Sequence, residues 1–317
     1  MIIDKVATNQ ENYRKNEYYY NSARDGMFDL FNNMINEGMI NTLFLPGYIG
    51  WSPKEGSGIF DPVNNLEGLS IQYYKMTSDL NIDVNDLSSK IKEVDHGKSA
   101  VLLVNYFGFV DPGLNEIVNI VREFSGLIIE DNAHGFFTYH HTLEKFSDAT
   151  FFSLHKMFPF NNGGSLLINN NKLKSLPFAG ERTRDIAGDP FEYDITNIAK
   201  KRKDNYLKLE KIIMDNNTEE YFLPLKKELG ENTIPQTFPI VISKGNRDKV
   251  YQLMNDSGYG VVSLYHTLIE PLRGSEYKES LELSRRIMNL PVHQDVDSDK
   301  YLEMVELLIE LCLRTNE

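Results

Sequence analysis

Apolar residues recur along this chain in two alternating modes. Short apolar runs at 41–46, 69–74, 100–108, 127–131 and 165–168 have the length of strands, and the run at 127–131 ends abruptly in polar residues. Between them apolar residues return every three or four positions, as at Met27, Phe28, Phe31, Met34 and Ile35, and again at Leu114, Ile117, Val118 and Val121. The spacing predicts helices from about residue 22 with Asn21 or Ser22 as cap, over 83–91 and over 114–124. Strand 100–108, helix 114–124 and strand 127–131 make a βαβ unit, which places ligands at the carboxyl ends of parallel strands. Asp131, His134 and the Asn105-Tyr106 pair then share one rim.

The last third of the chain changes character. Strands are expected at 237–243 and 259–266, helices at 247–255, 277–288 and from about 298, and a turn at 290–293. A long helix over 196–214 leads into this region, and residues 172–205 carry no assignable pattern. The expected architecture is α/β, with a large, mostly parallel-sheet domain over 1–205 and a smaller α+β domain over 206–317. In the final helix Tyr301, Met304, Val305, Leu308 and Cys312 share a face, which makes the single cysteine a packing residue.

Composition narrows the function. With 41% hydrophobic and 25% charged residues the chain is an ordinary globular protein. A formal charge of -13 leaves no cationic excess for a nucleic acid, although a local cluster of donors still suits a small anion. One cysteine excludes an intramolecular disulfide or a Cys-rich metal centre, and no metal is expected. There is no run of about 18 apolar residues, and Met1 to Lys5 lacks the basic start of a signal peptide, so a cytoplasmic protein without membrane contact is expected.

The chemistry concentrates between residues 127 and 164. Lys156 stands in Ser153-Leu154-His155-Lys156-Met157-Phe158, apolar and aromatic surroundings that a lysine enters either with its head group turned to water or as a low-pKa amine able to condense with a carbonyl. The second use suits pyridoxal phosphate, which needs a carboxylate beside its ring nitrogen and donors around its phosphate. Asp131 is the candidate carboxylate, or else a turn residue. Ser153 and the helix start at Ser22 are candidate phosphate donors, the latter or else an ordinary capped helix. His134 is a cofactor neighbour or a satisfied core histidine, and the loop 47–53 holds the only tryptophan, Trp51, as ring partner or core cover. The 56–62 segment is glycine-rich without the spacing of a phosphate-binding fingerprint.

The run Ile129-Glu130-Asp131-Asn132-Ala133-His134-Gly135, then Ser153-Leu154-His155-Lys156 followed by Gly163-Gly164, resembles the DegT/DnrJ/EryC1/StrS family of sugar aminotransferases, as does Leu290-Pro291-Val292-His293 near the end. That resemblance implies a fold-type I pyridoxal-phosphate-dependent transferase with pyridoxal 5'-phosphate as cofactor. It makes Lys156 the Schiff-base lysine and Asp131 the partner of the ring nitrogen. His134 falls near the phenolic oxygen, Ser153 and Ser22-Ala23-Arg24 at the phosphate, and Trp51 or Tyr48 against the ring. It further implies transamination of a nucleotide-linked keto sugar with an amino-acid donor, in amino-sugar or polysaccharide biosynthesis, by a homodimer. The alternatives are a dehydratase or lyase on the same cofactor, whose branch replaces the lysine by His, and a cofactor-binding sensor without turnover. The chain departs from the family pattern at the phosphate helix, which opens Asn21-Ser22-Ala23-Arg24-Asp25 in place of a Gly-Thr or Ser-Gly turn.

Overall fold

A computed structural model describes residues 16–186 and 188–315. The polar, tyrosine-rich stretch before the first predicted helix falls partly outside the described residues, and its end forms strand β1 (Glu17–Tyr20), which the apolar pattern does not announce. Helix α1 (Ala23–Asn36) follows, capped by Ser22, whose Oγ accepts from the Asp25 N–H. Then come β2 (Thr42–Pro46), β3 (Ser70–Tyr74), α2 (Val84–Ile91) and β4 (Ser99–Val104). Next are α3 (Leu114–Glu123), β5 (Leu127–Asp131), α4 (Phe136–His141), β6 (Ala149–Ser153) and β7 (Gly164–Ile168).

These strands form one seven-stranded sheet in the order β1-β7-β6-β5-β4-β2-β3. β3, β2, β4, β5 and β6 run parallel, and β7 and β1 add antiparallel pairings at one edge. The predicted βαβ unit is present, with Ala100 in register with Leu127 and Val104 with Asp131. Central strands buried on both faces need side chains that cost nothing to desolvate, and Val101, Leu102, Ile128, Ile129, Phe151 and Leu166 are all fully buried. The mostly parallel α/β fold read from the sequence is therefore present.

Helix α5 (Ile195–Asp215) leads to a second sheet made of β8 (Phe222–Pro224), β9 (Thr237–Ile242) and β10 (Ile287–Pro291), with α6 (Arg247–Asp256), α7 (Lys278–Arg286) and α8 (Tyr301–Arg314) beside it. The expected domain boundary near residue 205 falls inside α5. Cys312 is buried in the α8 core face, as expected for a packing residue. Among the described residues no helix is long and apolar enough to cross a membrane.

Three expectations for local structure are corrected. The strand predicted over 100–108 stops at Val104, and residues Tyr106–Gly108 form a tight turn in which Phe107 takes φ 56°. Of the turn predicted at 290–293, Leu290 and Pro291 instead close β10, paired antiparallel with β9, and Val292 and His293 follow it. Ile287 and Met288, expected to close the preceding helix, are fully buried, and Pro291 is tolerated because β10 is an edge strand. Residues 259–266 are not a strand: only Val262 bridges to Asn289. Gly258, Gly260 and Tyr265 all have positive φ, which breaks the extended run. The backbone then turns to pair with the first sheet's loop, Trp51 N–H donating to Thr267 O at 2.8 Å and Ile269 N–H to Ile49 O at 3.0 Å.

Candidate active site

Parallel strands end on one side of the sheet, so their last residues and the loops after them surround a common cleft. Its volume is about 610 Å³. Asp131 closes β5, His134 lies three residues on, and Ser153 closes β6 just ahead of the short turn Leu154–Lys156. The start of α1 brings Ser22, Ala23 and Arg24 to the same space, and the loop after β2 brings Trp51. Eight of the nine site residues expected from the sequence therefore line one cleft.

Tyr48 is the ninth, and it does not reach the cleft. It is fully buried, edge-on to Tyr106 at 5.7 Å between ring centres, and its hydroxyl donates to Tyr265 O at 3.2 Å. Its backbone carbonyl accepts from the Tyr106 hydroxyl. Tyr265 occupies the position in front of it. Its ring passes so near Gly50 that a Cβ there would lie 2.7 Å from the ring, which explains a glycine in that loop.

The glycines after the lysine have separate reasons, a positive φ of 119° at Gly163 and a close contact at Gly164. A Cβ on Gly164 would lie 2.2 Å from the Ala23 nitrogen, so only a glycine lets the start of α1 rest against β7. Gly163 donates to Asn21 O at 2.7 Å and accepts from the Leu154 N–H at 2.9 Å. One pair of residues thus joins the helix start to the turn bearing Lys156. Because the cap of α1 uses only the Asp25 N–H, the Ala23 and Arg24 N–H groups take no partner among the described residues and remain available to an anion.

The floor of the cleft is more tightly determined. Asp131 is buried, and its Oδ1 accepts from the Ala133 N–H at 2.8 Å. Its other oxygen takes no hydrogen bond among the described residues. Burial raises the carboxyl above the ordinary aspartate range, opposed by the Ala133 N–H and by Lys156. The His134 ring lies parallel to that of Phe107, 5.9 Å apart, and burial with the neighbouring Lys156 holds it well below its usual value. Lys156 Nζ is 3.3 Å from His134 Nε2. The lysine side chain is exposed to the cleft that it lines. Desolvation of the amine by the surrounding protein lowers its ammonium from the usual lysine value; Asp131 and Glu55 oppose the shift and Arg24 adds to it.

These groups fit pyridoxal phosphate. A buried carboxylate with a vacant oxygen suits a protonated ring nitrogen, a lysine with a lowered pKa suits a carbonyl, and a helix start with free N–H groups beside Ser22 and Arg24 suits a phosphate. Ser153, also in the cleft, sits 3.5 Å from His155 Nδ1 through its Oγ.

Sequence reasoning missed several lining residues: Lys54, Glu55, His155, Ser263, Tyr265 and His266. The glycine-rich stretch at 56–58 gave a weak signal, now explained by Gly56, Ser57 and Gly58 lining the cleft. Nothing in the pattern marked 263–266, which reaches the site only through the fold.

Sheet order, cleft and lysine together define the fold class of the pyridoxal-phosphate-dependent aminotransferases. Similar solved structures include an aminotransferase of the DegT/DnrJ/EryC1/StrS type from Brucella abortus, with TM-score 0.70, 15% identity, and 93% of this chain and 86% of that one covered. A sugar aminotransferase from Micromonospora echinospora gives TM-score 0.68 at 14% identity, covering 93% and 88%. The E. coli GDP-4-keto-6-deoxy-D-mannose-3-dehydratase, solved with hydrated pyridoxal phosphate, gives 0.70 at 15%, covering 92% and 87%. Residues 71–178 match the model of the DegT/DnrJ/EryC1/StrS aminotransferase family, so the family resemblance read from Asp131, His134 and Lys156 holds. No curated protein sequence matches the chain.

Proposed function

We propose that this protein transfers an amino group from an amino acid to the keto carbon of a nucleotide-linked sugar, using pyridoxal phosphate, in amino-sugar or polysaccharide synthesis. The observation that carries this reading is the meeting of Lys156, the vacant Asp131 oxygen and the free helix start in one cleft. Pyridoxal phosphate, when bound, supplies an electron sink that lets a proton leave the carbon bearing the amino group.

The protein's own part follows from its side chains. Lys156 would hold the cofactor covalently through Nζ and, once displaced by the amino donor, carry a proton on Nζ between the donor carbon and the cofactor carbon. Asp131 would keep the ring nitrogen protonated through its vacant oxygen. The Ala23 and Arg24 N–H groups, Ser22, Ser153 and the Arg24 guanidinium would bind phosphate and set the register of the ring above the lysine. Arg24 and Lys54 face the cleft, with Glu55 and Asp131 on the same lining, so cationic donors are present locally within an acidic protein. Those donors suit a substrate carrying phosphates. Trp51, half exposed at the mouth, offers a flat apolar face to a ring.

The test is to purify the protein, add pyridoxal phosphate, record the visible absorbance, and supply glutamate with a panel of nucleotide-linked keto sugars. Formation of an amino sugar is the expected result. Absorbance without turnover would leave a sensor, and loss of a hydroxyl without amino transfer would leave a dehydratase.

A further inference from the structure

The lysine amine meets a histidine whose tautomer is decided elsewhere. The Phe107 N–H donates to His134 Nδ1 at 3.3 Å. A backbone N–H is always a donor, so Nδ1 must be the unprotonated nitrogen, and the neutral ring then carries its proton on Nε2. That proton points at Lys156 Nζ, 3.3 Å away. An ammonium has no lone pair to accept it, whereas an uncharged amine does. The geometry also leaves Lys156 without an ion pair among the described residues, although Asp131 lines the same cleft.

The donor itself is held by the fold. Phe107 has φ 56°, a left-handed backbone that a bulky residue adopts only when its surroundings impose it. Its ring is fully buried and parallel to the His134 ring, and its carbonyl accepts from the Gln236 N–H at 2.8 Å, just ahead of β9. Gly108, next in the chain, has φ +89°, and a Cβ there would lie 2.6 Å from Ile234 O. The irregular segment just before β9, Ile234 to Gln236, therefore clamps the turn that aims the Phe107 N–H.

We propose that the Phe107 N–H, acting through His134, holds Lys156 as an uncharged amine whose lone pair rests on the Nε2 proton, so that the nucleophile is ready before any cofactor arrives. His134 is here a positioning residue. The role concerns the cofactor-free protein and is separate from transamination: it can fail while amino transfer is observed, and hold while no sugar is turned over. Charged or titratable groups facing the amine are Asp131 from β5, Arg24 from α1, Glu55 from the loop after β2 and Tyr265 from the segment before α7; Lys54, His155 and His266 line the same cleft.

Nitrogen NMR of histidine-labelled, cofactor-free protein tests this, with the His134 resonance identified by its shift in Lys156→Ala. The expected spectrum has the proton on Nε2 and none on Nδ1, unchanged from about pH 6 to about pH 8.5. A proton on Nδ1, or an imidazolium in that range, overturns the proposal. The second measurement is the pH dependence of the rate at which the protein captures pyridoxal phosphate. His134→Gln offers an amide oxygen that can turn to accept from an ammonium, so its midpoint is expected to rise by about one pH unit, a tenfold change in the proton equilibrium. An unchanged midpoint in a folded His134→Gln protein also overturns it.

Discussion

The floor and the mouth of the cleft are built in contrasting ways. Asp131, His134, Ser153 and Lys156 come from two adjacent parallel strands and the turns after them, and each side chain there has a hydrogen-bond partner that limits its position. The mouth is assembled from the start of α1, the loop around Trp51 and the segment ending in His266, far apart in sequence and tied together by backbone bonds such as Trp51 to Thr267. Reaction chemistry tolerates little displacement, whereas grip on a phosphate or a sugar can be spread over many weaker contacts. Substitutions on the floor should therefore abolish turnover, and those at the mouth should weaken binding.

The sharpest break of that contrast is Lys156→Ala, expected to lower amino transfer by about 10³-fold or more and to remove the visible absorbance with pyridoxal phosphate. Equal activity in the variant would move the chemistry away from the floor. Asp131→Ala, measured by kcat with cofactor saturating, is expected to lose about 10²-fold, the scale of a lost charge partner at a reacting centre.

At the mouth, Arg24→Ala should raise the Kd for pyridoxal phosphate about tenfold, corresponding to one charge-assisted hydrogen bond, with kcat at saturating cofactor nearly retained. A fall in kcat with unchanged Kd would erase the distinction between the two regions. Gly164→Ala joins them, because its Cβ pushes on the start of α1; we expect destabilisation of about 1–3 kcal/mol by denaturant titration, together with weaker cofactor binding.

The smallest expected effect concerns stability. Burial lowers the folded-state Lys156 ammonium below its unfolded value, so the unfolded chain binds the extra proton. The lysine therefore destabilises the cofactor-free protein at neutral and lower pH, and the penalty fades as pH rises from the folded value toward that of a free lysine. Lys156→Met is expected to raise the Tm of the cofactor-free protein by about 2 °C near neutral pH, and by less in alkaline buffer. A Tm gain that grows with pH would contradict the lowered lysine.

Much of this arrangement was legible before folding because it depends on local periodicity. The apolar run ending at Asp131 has the pattern of a buried strand, and Leu114, Ile117, Val118 and Val121 fall on one helix face. Lys156 stood out because a lysine among aromatic residues needs a reason, and Gly164 now has one in the close approach of α1. The misreadings share a cause. Residues 259–266 read as a strand, yet positive φ at Gly260 and Tyr265 breaks the extended run, and the pairing with Ile49, Gly50 and Trp51 falls to the next residues, Thr267, Leu268 and Ile269. The family resemblance offered Tyr48 as a ring partner, and only packing shows it buried against Tyr265, which lines the cleft where Tyr48 does not.

The sequence by itself marked most of the strands, though not β1, β6, β8 or β10, most of the helices, and the candidate lysine, carboxylate and helix cap, since these follow from side-chain chemistry and spacing along a few turns or strands. Tertiary structure alone decided that Tyr265 and His266 join the site, that Asp131 keeps one oxygen vacant, and that Phe107 dictates the tautomer facing Lys156. Those outcomes depend on contacts between residues more than a hundred positions apart or on single hydrogen-bond directions, and neither leaves a periodic trace in the chain.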